Sequence, residues 1–313
     1  GGKVVYMAIR RPDGYVGKPP EAGTDAFAMD TGAGSATIPN FDSNFPVDFS
    51  FEVKPAFTMS KFVHTRLMGP EFLESDTADP ETNYANVVWD SNVGWSKDQG
   101  NSDWLSWMWK RHAGFDVVAY TGNGSSSRSI PHNLSKPAEM IWTKSRDATE
   151  PWHCWHKDLN GGGNNAIERY VKLNTTDAVL QNTNGYLSIP TSTNYTIGSD
   201  DPYNKNGDAY IAMLFASVDG ISKVGYYDGT GSELTITTGF QPRFLIIKRV
   251  TSADPWLVYD TVRGWGAGSD KYLMLDSNAA QGTYDAGAPT STGFTLVASA
   301  TQSGQKYIYY AHA

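Results

Sequence analysis

The side chains best suited to chemistry fall in three places. Trp152-His153-Cys154-Trp155-His156 brings two histidines together with the single cysteine of the chain, residue types that ligate zinc. On a strand, successive side chains alternate between faces, so Cys154 and His156 share one face while His153 points to the other. The two histidines diverge, and no Cys or His spacing elsewhere completes a zinc site. In the later segment Pro255-Trp256-Leu257-Val258-Tyr259-Asp260, His153 is matched by Leu257 and Cys154 by Val258, so Cys154 reads as core.

The densest supply of carboxylates is Pro70–Glu81, which contains Glu71, Glu74, Asp76, Asp79 and Glu81. Two carboxyls held roughly 5–9 Å apart, one in an apolar setting that raises its pKa, hydrolyse glycosidic bonds. Glu71, Glu74 and Asp76 are the candidates for such a site. A run broken by Ser, Thr and Pro otherwise reads as a solvated loop, and it lacks the Asp-x-Asp-x-Asp-Gly calcium pattern. Gly124-Ser125-Ser126-Ser127 has no nucleophile elbow, and neither Gly122-Asn123-Gly124 nor Gly229-Thr230-Gly231 has the lysine or helix of a phosphate loop. No catalytic residue, metal or cofactor is assigned, and a role other than enzyme is expected.

The third group is aromatic. Trp89, Trp95, Trp155, Tyr259 and Trp265 are candidates for stacking on sugar rings if exposed, although buried cores need the same residue types. Trp107 and Trp109 share a strand face, with Trp104 out of phase.

The elements that must position these residues are short strands. The 313 residues include 10 Trp, 17 Tyr, 31 Gly and 16 Pro, a mixture that favours strands and turns. The length points to two or three domains. With a net charge of −8 and no Lys/Arg run, nucleic acid is excluded as a partner. No apolar stretch approaches a membrane span. The opening Gly1-Gly2-Lys3-Val4-Val5-Tyr6 is neither an initiator methionine nor a signal peptide, so the sequence is expected to be part of something longer.

Self-alignment shows the organisation. Phe115–Ser125 recurs as Ile221–Ser232, a strand running into a Gly-rich turn. Pro137-Ala138-Glu139-Met140-Ile141-Trp142-Thr143-Lys144 recurs as Pro242-Arg243-Phe244-Leu245-Ile246-Ile247-Lys248, a strand opened by proline. Tyr170–Thr175 matches Lys271–Ser277, and the closing strand Asp208–Ala216 matches Lys306–Ala313. An earlier, more divergent copy keeps Phe45–Lys54 and Trp104–Lys110, departing most over residues 55–100, where the acidic stretch is expected to have no counterpart. The reading is all-β: three tandem β-sandwich, jelly-roll-like units at residues 26–114, 115–220 and 221–313. Residues 1–25 are expected to supply the closing strand of a preceding unit and a Pro-rich linker. That orphan strand, with Val4, Val5, Tyr6 and Met7, is expected to pair with this chain or a neighbouring subunit.

The Tyr120-Thr121-Gly122-Asn123-Gly124-Ser125 turn and the Pro-initiated strand ending in Lys144 are followed by Trp152-x-x-Trp155-His156, Tyr170-x-x-Leu173-Asn174 and the closing Tyr210-Ile211-Ala212. Together they resemble tandem domains in uncharacterised virion proteins of marine tailed phages, over residues 115–313 and more loosely over 1–114. The resemblance implies a surface-exposed fibre or appendage subunit on the virion, a homo-oligomer, with a trimer as one form, among other virion proteins. Its role would be adhesion to a host surface glycan through many weak contacts. A polysaccharide-degrading tail spike and a purely structural capsid decoration or connector are the alternatives.

Overall fold

A computed structural model describes residues 20–34, 38–84, 86–97, 101–266 and 268–313. Val4, Val5, Tyr6 and Met7 lie outside them.

The fold is an all-β sandwich arrangement. Three six-stranded antiparallel sheets share one spatial order, in which the first and last strands of each run of sequence lie side by side. In the first sheet the order is Phe27–Thr31, Leu105–Trp109, Phe49–Val53, Phe62–Thr65, Glu71–Glu74, Thr82–Asn83. The second follows it with Phe115–Thr121, Ala209–Phe215, Met140–Ser145, His153–His156, Arg169–Lys172, Leu180–Gln181. The third has Ser222–Asp228, Lys306–His312, Phe244–Arg249, Trp256–Asp260, Asp270–Met274, Gly282–Tyr284. A smaller sheet accompanies each: Phe41–Asp42 with Gly94–Lys97 and Val87–Val88, Arg128–Pro131 with Asn194–Ile197, and Leu234–Thr237 with Gly293–Leu296 and Pro289–Thr290.

This order corrects the reading of the acidic stretch. Glu71–Glu74 is the fifth strand of its sheet, the counterpart of Arg169–Lys172 and Asp270–Met274. Its charges differ from those of its counterparts, but register aligns its Phe72-Leu73 with Tyr170-Val171 and Tyr272-Leu273, an aromatic followed by an apolar residue each time.

The closing strands are buried on both faces because they sit between two cores. Leu105, Trp107 and Trp109 enter a core shared by all three sheets, while Met108 packs with Phe41, Phe45 and Trp95 under the first small sheet. In the third sheet, Ile308 and Tyr310 enter the shared core, and Tyr307 and Tyr309 face the small sheet. Rings interlock across the sheets: Trp107 and Phe244 have centroids 5.3 Å apart, Phe51 and Trp142 6.2 Å, Trp142 and Trp256 6.3 Å, and Phe215 and Tyr310 4.9 Å. Two indole donors find buried partners, Trp107 Nε1 on Asp260 Oδ2 at 3.1 Å and Trp109 Nε1 on Tyr310 Oη at 3.3 Å, as buried N–H groups generally do, whereas Trp142 Nε1 is buried without one.

Backbone contacts close the arrangement into a ring. Second meets first through Trp152 Nε1 donating to Glu74 O at 2.8 Å and Glu81 N to Arg146 O at 2.8 Å. Third meets second through Trp256 Nε1 donating to Lys172 O at 2.8 Å and Asp254 N to Thr176 O at 2.9 Å. Third meets first through Ser75 Oγ donating to Leu275 O at 2.7 Å and Met59 N to Asn278 O at 2.7 Å. A buried lysine serves the last two junctions: Lys248 Nζ donates to Thr176 O at 2.9 Å, and Lys61 Nζ to Ala279 O at 2.9 Å.

Candidate functional site

The outer face of each large sheet and its small sheet enclose a cleft, and the three clefts can be compared position by position. Register places Trp104, Tyr210 and Tyr307 alike, one residue ahead of the first closing strand and second in the other two. By the same rule Phe62, His153 and Leu257 correspond, as do Phe72, Tyr170 and Tyr272.

In the first cleft an ammonium fills the space. Lys97 Nζ lies 4.2 Å from the ring centroid of Phe62, 4.4 Å from Tyr84, 5.2 Å from Trp104 and 5.6 Å from Phe72. It is ion-paired at 2.7 Å with Glu52, which also lies 3.5 Å from His64 Nε2. Aromatic faces attract a cation, and the carboxylate supplies the buried countercharge.

In the second cleft a tyrosine fills the space. Tyr203 is fully buried, its ring 4.9 Å from that of His153 and 5.1 Å from that of Tyr186. Its carbonyl accepts from Tyr120 Oη at 2.8 Å, and Tyr120 stacks on Tyr210 at 5.1 Å.

In the third cleft the same stacked pair recurs as Tyr227 and Tyr307, 4.7 Å apart, but the filling side chain does not. Gly124 N donates to Asn204 O, as Gly231 N donates to Thr301 O. The residue before Asn204 is Tyr203; the residue before Thr301 is Ala300. A methyl group replaces the phenol, leaving a cavity of about 300 Å³ whose walls include Tyr227, Tyr259, Tyr272, Tyr307 and Leu257, with Tyr284 also in the lining and Ala300, Ser299 and Gln302 on one side. Tyr284 is 37% exposed, whereas Tyr227 is 5% exposed. The Tyr227 hydroxyl is buried without a hydrogen-bond partner, and burial raises its pKa well above the usual phenol value. Arg249 and Asp254 also line the cavity as an ion pair at 3.2 Å, with Arg249 Nη1 donating to Gln302 Oε1 at 2.6 Å.

A model of the family described as "Domain of unknown function (DUF7483)" matches residues 73–313. The chain belongs to that family. No curated protein and no solved structure matches the chain. The DUF7483 span holds the second and third clefts whole and begins within the fifth strand of the first sheet.

Most sequence candidates lie elsewhere than expected. Trp95, Trp155 and Trp265 are buried, as is Trp89, and they form no solvent-facing platform. Trp89 and Trp95 stack on each other at 5.2 Å, and their indoles donate to Gly69 O and Ser106 Oγ. Trp155 and Trp265 donate to Ala166 O and Gly287 O. Each small sheet covers rings that a single open sheet would have exposed. Tyr259 alone among the five lines the open cleft.

Glu71, Glu74 and Asp76 lie on a strand and the turn after it, not in a free loop. Glu71 Oε1 accepts from Asn83 Nδ2 at 2.9 Å, and Asp76 Oδ2 from Ser60 Oγ at 3.2 Å. Burial and then the Asp76 charge push the Glu74 carboxyl above its ordinary range. Nearby Glu81 bonds Arg146 across the sheet junction at 2.6 and 3.0 Å, so this stretch joins two sheets.

Cys154 is fully buried with its thiol pKa pushed far up by burial. No cluster of three or more His, Cys, Asp or Glu suited to a metal occurs among the described residues. Sequence reasoning missed Tyr227, Tyr272, Tyr284, Tyr307 and Ala300. The available signal was the exchange of Tyr203 for Ala300 at matching places in the repeat.

Proposed function

We propose that the chain is a binding module that takes a saccharide into the tyrosine cleft of the third sheet. The observation that carries this reading is a cleft whose two counterparts are filled by Lys97 and Tyr203 while its own place of filling holds Ala300. Apolar ring faces with a few polar groups at the rim are what a sugar needs: faces for its C–H surface, and donors and acceptors for its hydroxyls. One shallow cleft gives weak affinity, so adhesion would require many copies held together, where effective concentration multiplies single contacts. This suits the setting that the sequence resemblance implies, a homo-oligomeric fibre or appendage at the surface of a tailed-phage virion that meets a host glycan. No helix among the described residues is long and apolar enough to cross a membrane.

The test is binding of the multimerised protein to a glycan array and to whole host cells, beside Ala300→Tyr. Wild-type binding that the variant loses supports the reading. Equal binding by both removes the cleft from the account, and no binding by either favours a structural connector.

A further inference from the structure

Loss of the Tyr203 phenol makes room in the third cleft, and a second change keeps a neighbouring ring from taking up that room. The sixth strand of each large sheet sets one residue opposite the aromatic of the fifth: Thr82 opposite Phe72, Leu180 opposite Tyr170, and Gly282 opposite Tyr272. Residues directly opposed in an antiparallel pair share a face of the sheet and compete for the space above it. In the second sheet Tyr170 leans towards the inner strand, its ring 4.6 Å from that of His153, which lies 4.9 Å from the ring of Tyr203. In the third sheet Tyr272 lies across the edge strand instead. A Cβ on Gly282 would stand 2.5 Å from the Tyr272 hydroxyl oxygen and 2.7 Å from Cε1, so any side chain there displaces the ring. Glycine weakens a strand and is found where another group approaches closely; here that group is a phenol in the wall of the cavity.

Accessible surface picks out the rings that a ligand can touch. Tyr227, Tyr259 and Tyr307 line the cavity but are buried. Tyr272 is half-buried and Tyr284 exposed. Tyr284 follows Gly282 by two residues on the edge strand Gly282–Tyr284, which places it on the same face as Tyr272. The two rings with surface to offer therefore stand together on the two outermost strands of the sheet.

Resting on the proposed saccharide reading, we infer that the sugar stacks on Tyr272 and Tyr284, and that Gly282 is the positioning residue that holds Tyr272 out of the cleft. With a side chain at position 282, Tyr272 would turn inward as Tyr170 does, into the space that Tyr203 takes in the second cleft.

Two measurements test this. The α protons of Gly282, against the Tyr272 ring, are expected upfield in the NMR spectrum of the wild type and at ordinary glycine positions in Tyr272→Leu. Equal positions in both would overturn the placement of the ring. Titration with host surface oligosaccharide is expected to give an association constant about tenfold lower in Tyr272→Leu and in Tyr284→Leu, the scale of one ring contact. Gly282→Leu, which copies Leu180, should lose at least as much. Because Gly282 acts through that ring alone, the variant carrying both Gly282→Leu and Tyr272→Leu should bind as Tyr272→Leu does, a coupling that a merely structural glycine would not show. Should Gly282→Leu fail to fold, Gly282→Ala, whose single Cβ already meets the ring, takes its place. Wild-type affinity in the Gly282 variant, or losses that add in the double variant, would overturn the role of Gly282 and leave the saccharide reading standing. Wild-type affinity in either tyrosine variant would overturn the stacking, and a wild type that binds no glycan would overturn both readings.

Discussion

Mild acid should unfold this protein, and three buried histidines set the scale. His112 and His156 are held down to a pKa of about 3 and His153 to about 4, in each case chiefly by burial. Geometry agrees: Nδ1 of His112 accepts from Gly114 N at 3.1 Å, and Nδ1 of His156 accepts from Asp158 N at 3.1 Å, bonds that protonation of that nitrogen would destroy. The folded state keeps these rings neutral, whereas the unfolded chain protonates them near pH 6.5. Between those values the unfolded state binds more protons, so stability is complete above about pH 6.5 and falls as pH drops towards 3–4. At pH 5 each histidine removes about 2 kcal/mol and the three together about 6 kcal/mol, comparable with the whole stability of many domains. His64, His132 and His312 are lowered by burial too and act in the same sense, whereas carboxyls raised by burial, such as Asp116, act in the opposite sense. The assay is the urea midpoint followed by tryptophan fluorescence at half-unit steps from pH 8 to 4.5. His153→Leu, which copies Leu257 of the third sheet, should lower the slope by about one third of the three-histidine effect. A midpoint that stays level from pH 7 to 5, or a slope unchanged by His153→Leu, would refute the reasoning.

Other outcomes follow from the same packing. Lys61, Lys144 and Lys248 are lowered to about 8, chiefly by burial, so the unfolded state holds more protons above pH 8. The urea midpoint should therefore rise from pH 8 to 9.5 and rise less in Lys144→Met. Phe244→Ala should cost about 3–5 kcal/mol, and because its ring touches Phe27, Trp107 and Trp109 of the first sheet, calorimetry should still show one cooperative transition at a lower Tm. Separate transitions for separate sheets would argue against a shared core. Lys97→Met should cost about 3–5 kcal/mol by leaving the carboxylate of Glu52 buried without its cation, and Glu52→Gln added to it should restore most of the loss.

The repeating sandwich was legible because its signals are local. Pro137 and Pro242 stand just before strands, and the Gly122 and Gly229 turns recur at matching places; a Cβ at either glycine would meet a carbonyl oxygen, that of Lys205 or Gln302. The fifth strand of the first sheet was hidden because Glu71-Phe72-Leu73-Glu74 exchanges the charges of Arg169-Tyr170-Val171-Lys172 while keeping the pattern that pairs. Ring closure was hidden too: Trp152 and Trp256 share their place with Lys61, so two indoles and an ammonium make the same kind of contact with a neighbouring sheet. The tryptophan candidates failed because a strand pattern tells which residues share a face, whereas burial depends on what covers that face. The cleft was least visible, since the decisive residue, Ala300, matters for the side chain it lacks.

The central claim is that the third cleft is the ligand seat. Its most direct test is a map of amide and side-chain NMR shifts when host surface oligosaccharide is added to the protein. The account predicts that Tyr227, Leu257, Ser299 and Gln302 move, and that these changes vanish in Ala300→Tyr. Changes centred on Glu71 and Asp76 instead, or changes around the cleft that persist in Ala300→Tyr, would contradict it.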